Sequence, residues 1–244
     1  MKSEAFQERL GEVDWERAEA ELDGQGNAVL GSFLGREECH RLASLYGSSE
    51  LFRNRVIMER HGFGRGEYQY FAYPLPETVA AMRTAFYPHL VPIANRWNRL
   101  MKVAIEYPPE HEGFLERCRA AGQDRPTPLL LQYGEGDYNC LHRDLYGEHF
   151  FPLQVVILLS DPRTFQGGEF LLVEQVPRGQ PRPMVVPLRQ GDAVVFATDQ
   201  RPKVGAKGLV YRVGMRHGVS RVLLGQRHTL GIVFHDASSQ TENR

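Results

Sequence analysis

Cysteine is scarce. The three that occur, Cys39, Cys118 and Cys140, stand far apart and form no CxxC pair, so neither a disulfide framework nor a cysteine-ligated zinc site is available. A reducing, cytoplasmic setting is the expectation. Long apolar runs are missing as well: no stretch approaches the roughly 20 residues of a membrane span. The N-terminus, MKSEAFQERLGEVDWERAEAELDG, is acidic and amphipathic, where a secretory signal is basic and then continuously apolar. Neither membrane insertion nor secretion is expected. Net charge is nearly absent, 29 Lys and Arg against 30 Asp and Glu, which argues against a partner chosen by bulk positive charge. Internal repeats, low-complexity tracts and HExxH are also lacking. What is present is 244 residues, 42% of them apolar, enough for one domain with a helical extension to bury its core without metal or disulfide staples.

Charge is placed unevenly along the chain. Residues 1–50 hold eleven acids and five bases, whereas 201–230 hold Arg201, Lys203, Lys207, Arg212, Arg216, Arg221 and Arg227 and no acid. That segment suits either an anionic ligand such as a phosphate backbone or a solvated face compensated by the acidic N-terminal helix.

Periodicity divides the chain into two halves. Residues 1–126 read as a bracing region: a helix over Glu4–Leu22, a strand over Asn27–Phe33, and a helix over Arg36–Tyr46 capped by Gly35 and Glu38. An extended aromatic stretch follows at 51–76, then a helix over Glu77–Met101 interrupted at Pro88 and Pro92, and a short helix over His111–Ala121. Val79, Met82, Phe86, Leu90, Ile93 and Trp97 form a stripe suited to lie on a sheet. From Thr127 to residue 237 short strands alternate with turns, as in LLLQY, QVVILLS, AVVFA and TLGIVF. The fold class is therefore mainly β with bracing α-helices, a sandwich or barrel. Residues 238–244 read as a frayed tail.

Among nine histidines, His40, His61, His89 and His111 suit packing or surface roles, and His228, His235 and Asp236 fall outside any assignment. His142 differs because Asp144 follows at i+2, and on a strand both project to one face. About one such H-x-(D/E) is expected by chance in a chain of this composition, and LHRD is the one present. His217, several strands later, supplies a third ligand. Two histidines and one carboxylate on one face of an ion suit non-haem iron with open positions. Arg227 and Thr229 share a strand face further on. An inward guanidinium needs either an anionic ligand or one of the chain's own acids. No acid–base dyad or activated nucleophile stands beside this group, so no catalytic residue is assigned beyond the metal site.

Taken in order, Tyr133 and Gly134, His142 and Asp144, Gly167, Gly168 and Glu169, Gly191 and Asp192, and His217, Arg227 and Thr229 resemble the iron(II)- and 2-oxoglutarate-dependent dioxygenases. The resemblance implies a double-stranded β-helix, the cupin-like jelly roll, over 127–237. It implies iron held by His142, Asp144 and His217, and 2-oxoglutarate held by Arg227 with Thr229 and Tyr133. Dioxygen is the co-reactant, and decarboxylation to succinate accompanies hydroxylation of a C–H bond.

Two substrate classes remain open. YGEGDYNCLHRD and the ten-residue step from His217 to Arg227 resemble the prolyl hydroxylases, which act on peptides or free amino acids. The chain as a whole resembles a bacterial group proposed to demethylate damaged nucleic acid. It departs from the AlkB-type dealkylases at Leu131, where they carry Asn, and at Val233, where they carry a second Arg. Arg53, Arg55, Arg60 and Arg65 interleave with Phe52, Phe63, Tyr68, Tyr70 and Phe71, as in a lid that holds phosphates and stacks on bases. The substrate side chains expected from this stretch are Arg65, Tyr68, Tyr70 and Phe71; the other reading is a hairpin whose aromatics are core. A non-catalytic cupin-like binding protein is the further alternative.

Overall fold

The computed structural model describes residues 2–145, 147–205 and 208–238. The bracing half comprises α1 (Lys2–Gly11), α2 (Trp15–Gln25), β1 (Asn27–Leu30), α3 (Arg36–Ser44), β2 (Phe52–Ile57), β3 (Gly64–Arg65), β4 (Glu67–Phe71), α4 (Glu77–Leu100), α5 (His111–Ala120) and β5 (Gln123–Arg125). The single helix expected over Glu4–Leu22 is two, because Asp14 caps a new start by accepting from the Arg17 amide at 2.9 Å. The cap at Gly35 is as expected, with Glu38 accepting from the Gly35 amide at 2.8 Å.

Contrary to expectation, α4 runs unbroken through Pro88 and Pro92. The two prolines and Thr84 form an i, i+4, i+8 row that is exposed, so water can reach the carbonyls that lose their amide donors. The opposite stripe, Val79, Met82, Phe86, Leu90, Ile93 and Trp97, is fully buried. No helix of the described residues is long and apolar enough to cross a membrane.

The second half comprises β6 (Leu129–Tyr133), β7 (Tyr138–His142), β8 (Leu153–Leu158), β9 (Phe165–Gly167), β10 (Phe170–Gln175), β11 (Arg182–Val186), β12 (Ala193–Ala197), β13 (Gln200–Val204), β14 (Val210–Val219), β15 (Val222–Gly225), β16 (Arg227–Ile232) and β17 (Ala237–Ser238). Seven strands form one sheet in the order β1-β12-β8-β16-β6-β4-β2, and the opposing sheet runs β11-β10-β14-β7-β3 with β13 on β14. All pairings are antiparallel, giving the jelly roll. Residues 52–71 are not separate from it: β4 pairs with β6, and β2 forms the sheet's edge. At the C-terminal end Ser238 is paired with β5 through β17, and the rest of the expected tail, like Lys207, lies outside the described residues.

One buried ion pair ties α4 to the segment that follows β16. The Arg83 guanidinium donates to the Val233 and His235 carbonyls at 2.8 and 3.0 Å and to the Asp236 carboxylate at 2.8 Å. Tyr73 donates its hydroxyl to the same carboxylate at 2.8 Å. Such a pair is tolerable in the interior because its remaining donors and lone pairs are also used.

Two histidines beside this lock are buried in neutral form. His111 donates from Nε2 to the Phe234 carbonyl at 2.7 Å, and His235 accepts the Phe151 amide at Nδ1, 3.2 Å. Burial, reinforced by the Arg83 charge, pushes both down to about 3. An unfolded chain protonates them near 6.5, whereas the folded one resists until about 3. Their contribution is therefore complete above pH 6.5 and lost as pH falls through that window. We expect urea-unfolding stability to decline by about 1.4 kcal/mol per pH unit for each histidine below pH ~6. His111→Gln should flatten that slope; an unchanged slope would mean His111 is not held neutral.

Candidate active site

The three candidate metal ligands are brought together by strand register. His142 ends β7 and stands directly opposite His217 of β14, with the ring centroids 4.2 Å apart. Asp144 lies just past the end of β7 and not on the strand, and its two oxygens reach both rings, 3.4 Å from His142 Nε2 and 3.3 Å from His217 Nε2. One ligand atom from each residue lies within 4.8 Å of the others. Gly218 makes the approach feasible, since a Cβ there would sit 2.7 Å from the Asn139 carbonyl of β7. The His142 Nδ1–H donates to the Cys140 carbonyl at 2.8 Å. That fixes the tautomer and leaves the Nε2 lone pair for a metal.

Electrostatics favours a cation here. Burial alone raises the Asp144 carboxyl, but the adjoining His142 and His217 outweigh it and hold Asp144 well below the ordinary carboxylate range. Burial also opposes charge on His142, yet Asp144 holds that imidazole above its usual value. His217 stays below its own because burial and the neighbouring His142 dominate. A bound cation competes with protons for these ligand atoms, so metal affinity rises with pH.

These ligands open on a cavity of about 190 Å³ between the two sheets. Arg227, Thr229 and Tyr133 line it from the seven-stranded sheet, with Arg227 paired to Tyr133 across β16 and β6. Arg227 is 2% exposed, and its Nη1 has no hydrogen-bond partner among the described residues. Burial lowers it to about 10, so it remains cationic at neutral pH. Gly168 leaves room for its stem, since a Cβ there would meet Arg227 Cδ at 2.8 Å. Burial pushes the Tyr133 hydroxyl up to about 12, and Asn139 Nδ2 donates to it at 3.4 Å, so its proton is free for another acceptor. Other members of the basic run are absorbed structurally. Arg201 is buried on Glu174 and on the Asp23 and Gly24 carbonyls, and Lys203 also meets Glu174, so the run is not one solvated face.

Tyr68 and Tyr70 project from β4 into the same cavity, joined by Phe63. Phe71 does not: it faces the helix side, fully buried and stacked on Phe52 with centroids 4.7 Å apart. Alternation along β4 accounts for this, since adjacent residues take opposite faces. Arg65 stays at the surface, 3.4 Å from Asp137, and Arg55 is paired with Glu67. Residues that sequence reasoning passed over also line the cavity: Asn139, Arg143 and Gln154. Gln154 was legible in principle, being a polar residue in step with Val156 on a strand otherwise apolar.

The fold and the two-histidine, one-carboxylate cluster define an oxygenase of the 2-oxoglutarate and iron(II) class. The family Oxygenase-NA, described as "Oxygenase, catalysing oxidative methylation of damaged DNA", matches residues 66–237, and the chain belongs to it. It is 46% identical over 169 residues to the uncharacterized proteins MT2286 and Rv2227 of two Mycobacterium tuberculosis strains, covering 69% of this chain and 72% of each relative. Among solved structures it resembles a 2OG-Fe(II) oxygenase-family oxidoreductase from Burkholderia pseudomallei (TM-score 0.54, 15% identity, 94% of both chains). It also resembles a Trichoplax adhaerens prolyl hydroxylase in complex with a hypoxia inducible factor peptide fragment (TM-score 0.54, 15% identity, 93% of this chain and 89% of that one). A Pseudomonas putida prolyl-4-hydroxylase matches at TM-score 0.52 and 16% identity, over 90% of this chain and 97% of that one. At such identities the likeness is one of fold.

Asp144→Ala removes the group that both histidines share. We expect iron(II) affinity, measured by calorimetric titration of the metal-free protein, to fall by more than about 100-fold, with the fold retained as a single cooperative urea transition. Retained affinity would place the metal elsewhere.

Proposed function

We propose that this protein is an iron(II)- and 2-oxoglutarate-dependent oxygenase that oxidatively demethylates alkylated nucleic acid. The observation that carries the reading is the pair of tyrosines, Tyr68 and Tyr70, facing the cavity into which His142, Asp144 and His217 open. Flat aromatic walls accept a flat substrate by stacking. The family to which the chain belongs, described as acting on damaged DNA, supports the same class.

The donor set fits the groups the reaction needs. His142, Asp144 and His217 would hold iron(II), and the unpartnered Arg227 Nη1 would donate to a carboxylate of 2-oxoglutarate. Iron with 2-oxoglutarate and dioxygen supplies one oxygen atom to a substrate C–H bond while the other ends in succinate, with loss of carbon dioxide. On an N-methyl group the hydroxylated carbon then leaves as formaldehyde: the C–N bond breaks with its electron pair going to nitrogen, and the hydroxyl proton passes to that nitrogen or, where the nitrogen was cationic, to water.

The chain's own residues orient and enclose. Arg227 offers a bidentate fork to the distal carboxylate, Thr229 adds a hydroxyl on the same strand face, and Tyr133 donates its free proton. All three are 2% exposed or less, so water does not compete for these contacts. The Tyr68 hydroxyl, raised by burial and by its neighbours Tyr70 and Asp144, stays protonated beside the metal ligands.

Two measurements test the reading. Arg227→Met should weaken 2-oxoglutarate binding by roughly 10- to 100-fold, the cost of a charge-assisted contact, and leave iron content unchanged. Equal affinity in the variant would make Arg227 structural. For the substrate, succinate and formaldehyde should form with methylated single-stranded oligonucleotides. Turnover confined to proline-containing peptides would transfer the protein to the hydroxylase alternative.

A further inference from the structure

Gln154 is an unspent polar group in the wall of the cavity. It lies on β8, 3% exposed, and its Nε2 has no hydrogen-bond partner among the described residues. Leu153, Val155 and Ile157 of the same strand enter the helix-side core, while Gln154 and Val156 face the cavity. Val156, Val233 and Leu129 line the same cavity, as do His142, Asp144 and His217. A buried amide donor left unpaired carries its full desolvation penalty, which a ligand of matching polarity removes.

Its position puts that ligand beside the candidate metal ligands, where the methyl group to be oxidised must also lie. Gln154 pairs with Phe196 across β8 and β12, and the Phe196 ring lies 4.8 Å from that of His217, so Gln154 stands at the level of the metal ligands. Arg227 is far along the sheet. Val156 is opposite Gly231, four residues from Arg227, and Gln154 is two further on, roughly 20 Å in all at about 3.3 Å per residue. That separation is between backbones; a dicarboxylate seated on Arg227 approaches the metal ligands from that end of the same cavity, and the N-oxalylglycine titration below distinguishes it from the substrate as the partner of Gln154.

We propose that Gln154 reads the hydrogen-bonding edge of an alkylated nucleobase held against Tyr68 and Tyr70, an inference that rests on the nucleic-acid reading above. A carboxamide presents one acceptor beside two donors. Nucleobases carry the complementary adjacent donor and acceptor along their edges, and amide side chains meet them bidentately. Leu131 and Val233, which also face the cavity, cannot make such a contact.

The test is equilibrium binding to protein loaded with Mn(II) and the inert cosubstrate analogue N-oxalylglycine. One probe is a single-stranded oligonucleotide carrying one 1-methyladenine; a second replaces that base with a shape-matched ring lacking edge donors and acceptors. Gln154→Met should bind the first probe roughly 5- to 100-fold more weakly than the parent, and the two proteins should bind the second equally. N-oxalylglycine affinity should not change. Ligand-free Gln154→Met should be as stable as the parent or more so, because an unpaired buried amide has been removed. Equal binding of the first probe by parent and variant overturns the role of Gln154 alone, as does a loss of N-oxalylglycine affinity or of stability. Absence of any oligonucleotide binding by the parent overturns the nucleic-acid reading and this inference with it.

Discussion

The alignment of His217 with His142 across β14 and β7 is the constraint on which the site depends. Two antiparallel strands place facing side chains about 5 Å apart, and a slip of one residue turns each to the opposite face. Here the ladder is irregular just past the histidines, between His217 and Val219, where Gly218 lies against the Asn139 carbonyl. β7 is held on its other edge by β3, Gly64 to Asn139 and Arg65 to Tyr138. The bracing half of the chain thus clamps the strand that presents the first ligand.

The two sheets divide the chemistry. The smaller sheet, with the segment just after β7, brings the anionic and imidazole groups that attract a cation. The larger sheet brings a cation, Arg227, that attracts an anion, together with Thr229 and the neutral donor Tyr133. Opposite demands are met on facing walls, so neither charge need be neutralised by the chain itself. Asp144 is shared by two imidazoles, and Arg227 is left with an open nitrogen.

Much of this was legible because short-range pattern and long-range position agreed. β6 and β12 fall on LLLQY and AVVFA as their apolar runs dictate, and the α4 stripe is buried in full. The failures came where tertiary context decides. Solvent on one face lets α4 keep Pro88 and Pro92, which helix propensity alone forbids. β7 and β13, YNCLH and QRPKV, lack an apolar run and become strands because β14 pairs with both. At the site, spacing pointed to His142, Asp144, His217 and Arg227. It could not reveal that Phe71 turns away from the cavity that Tyr70 lines, a matter of which sheet face meets the helices. Gln154 has no motif: its place in step with Val156 on an apolar strand was a faint signal, and its burial without a partner for Nε2 is what marks it.

The place of β16 in the sheet has a consequence for how the chain is made. β16 lies between β8 and β6, near the centre of the larger sheet, yet it is nearly the last strand in sequence. Until residues 227–232 emerge from synthesis, β6 and β8 expose unpaired edges rich in leucine and valine, and Arg83 lacks the carbonyls of Val233 and His235. Non-local pairing of this kind is slow and leaves aggregation-prone edges open while it waits. The same strand that carries Arg227 is therefore the one whose late arrival closes the barrel.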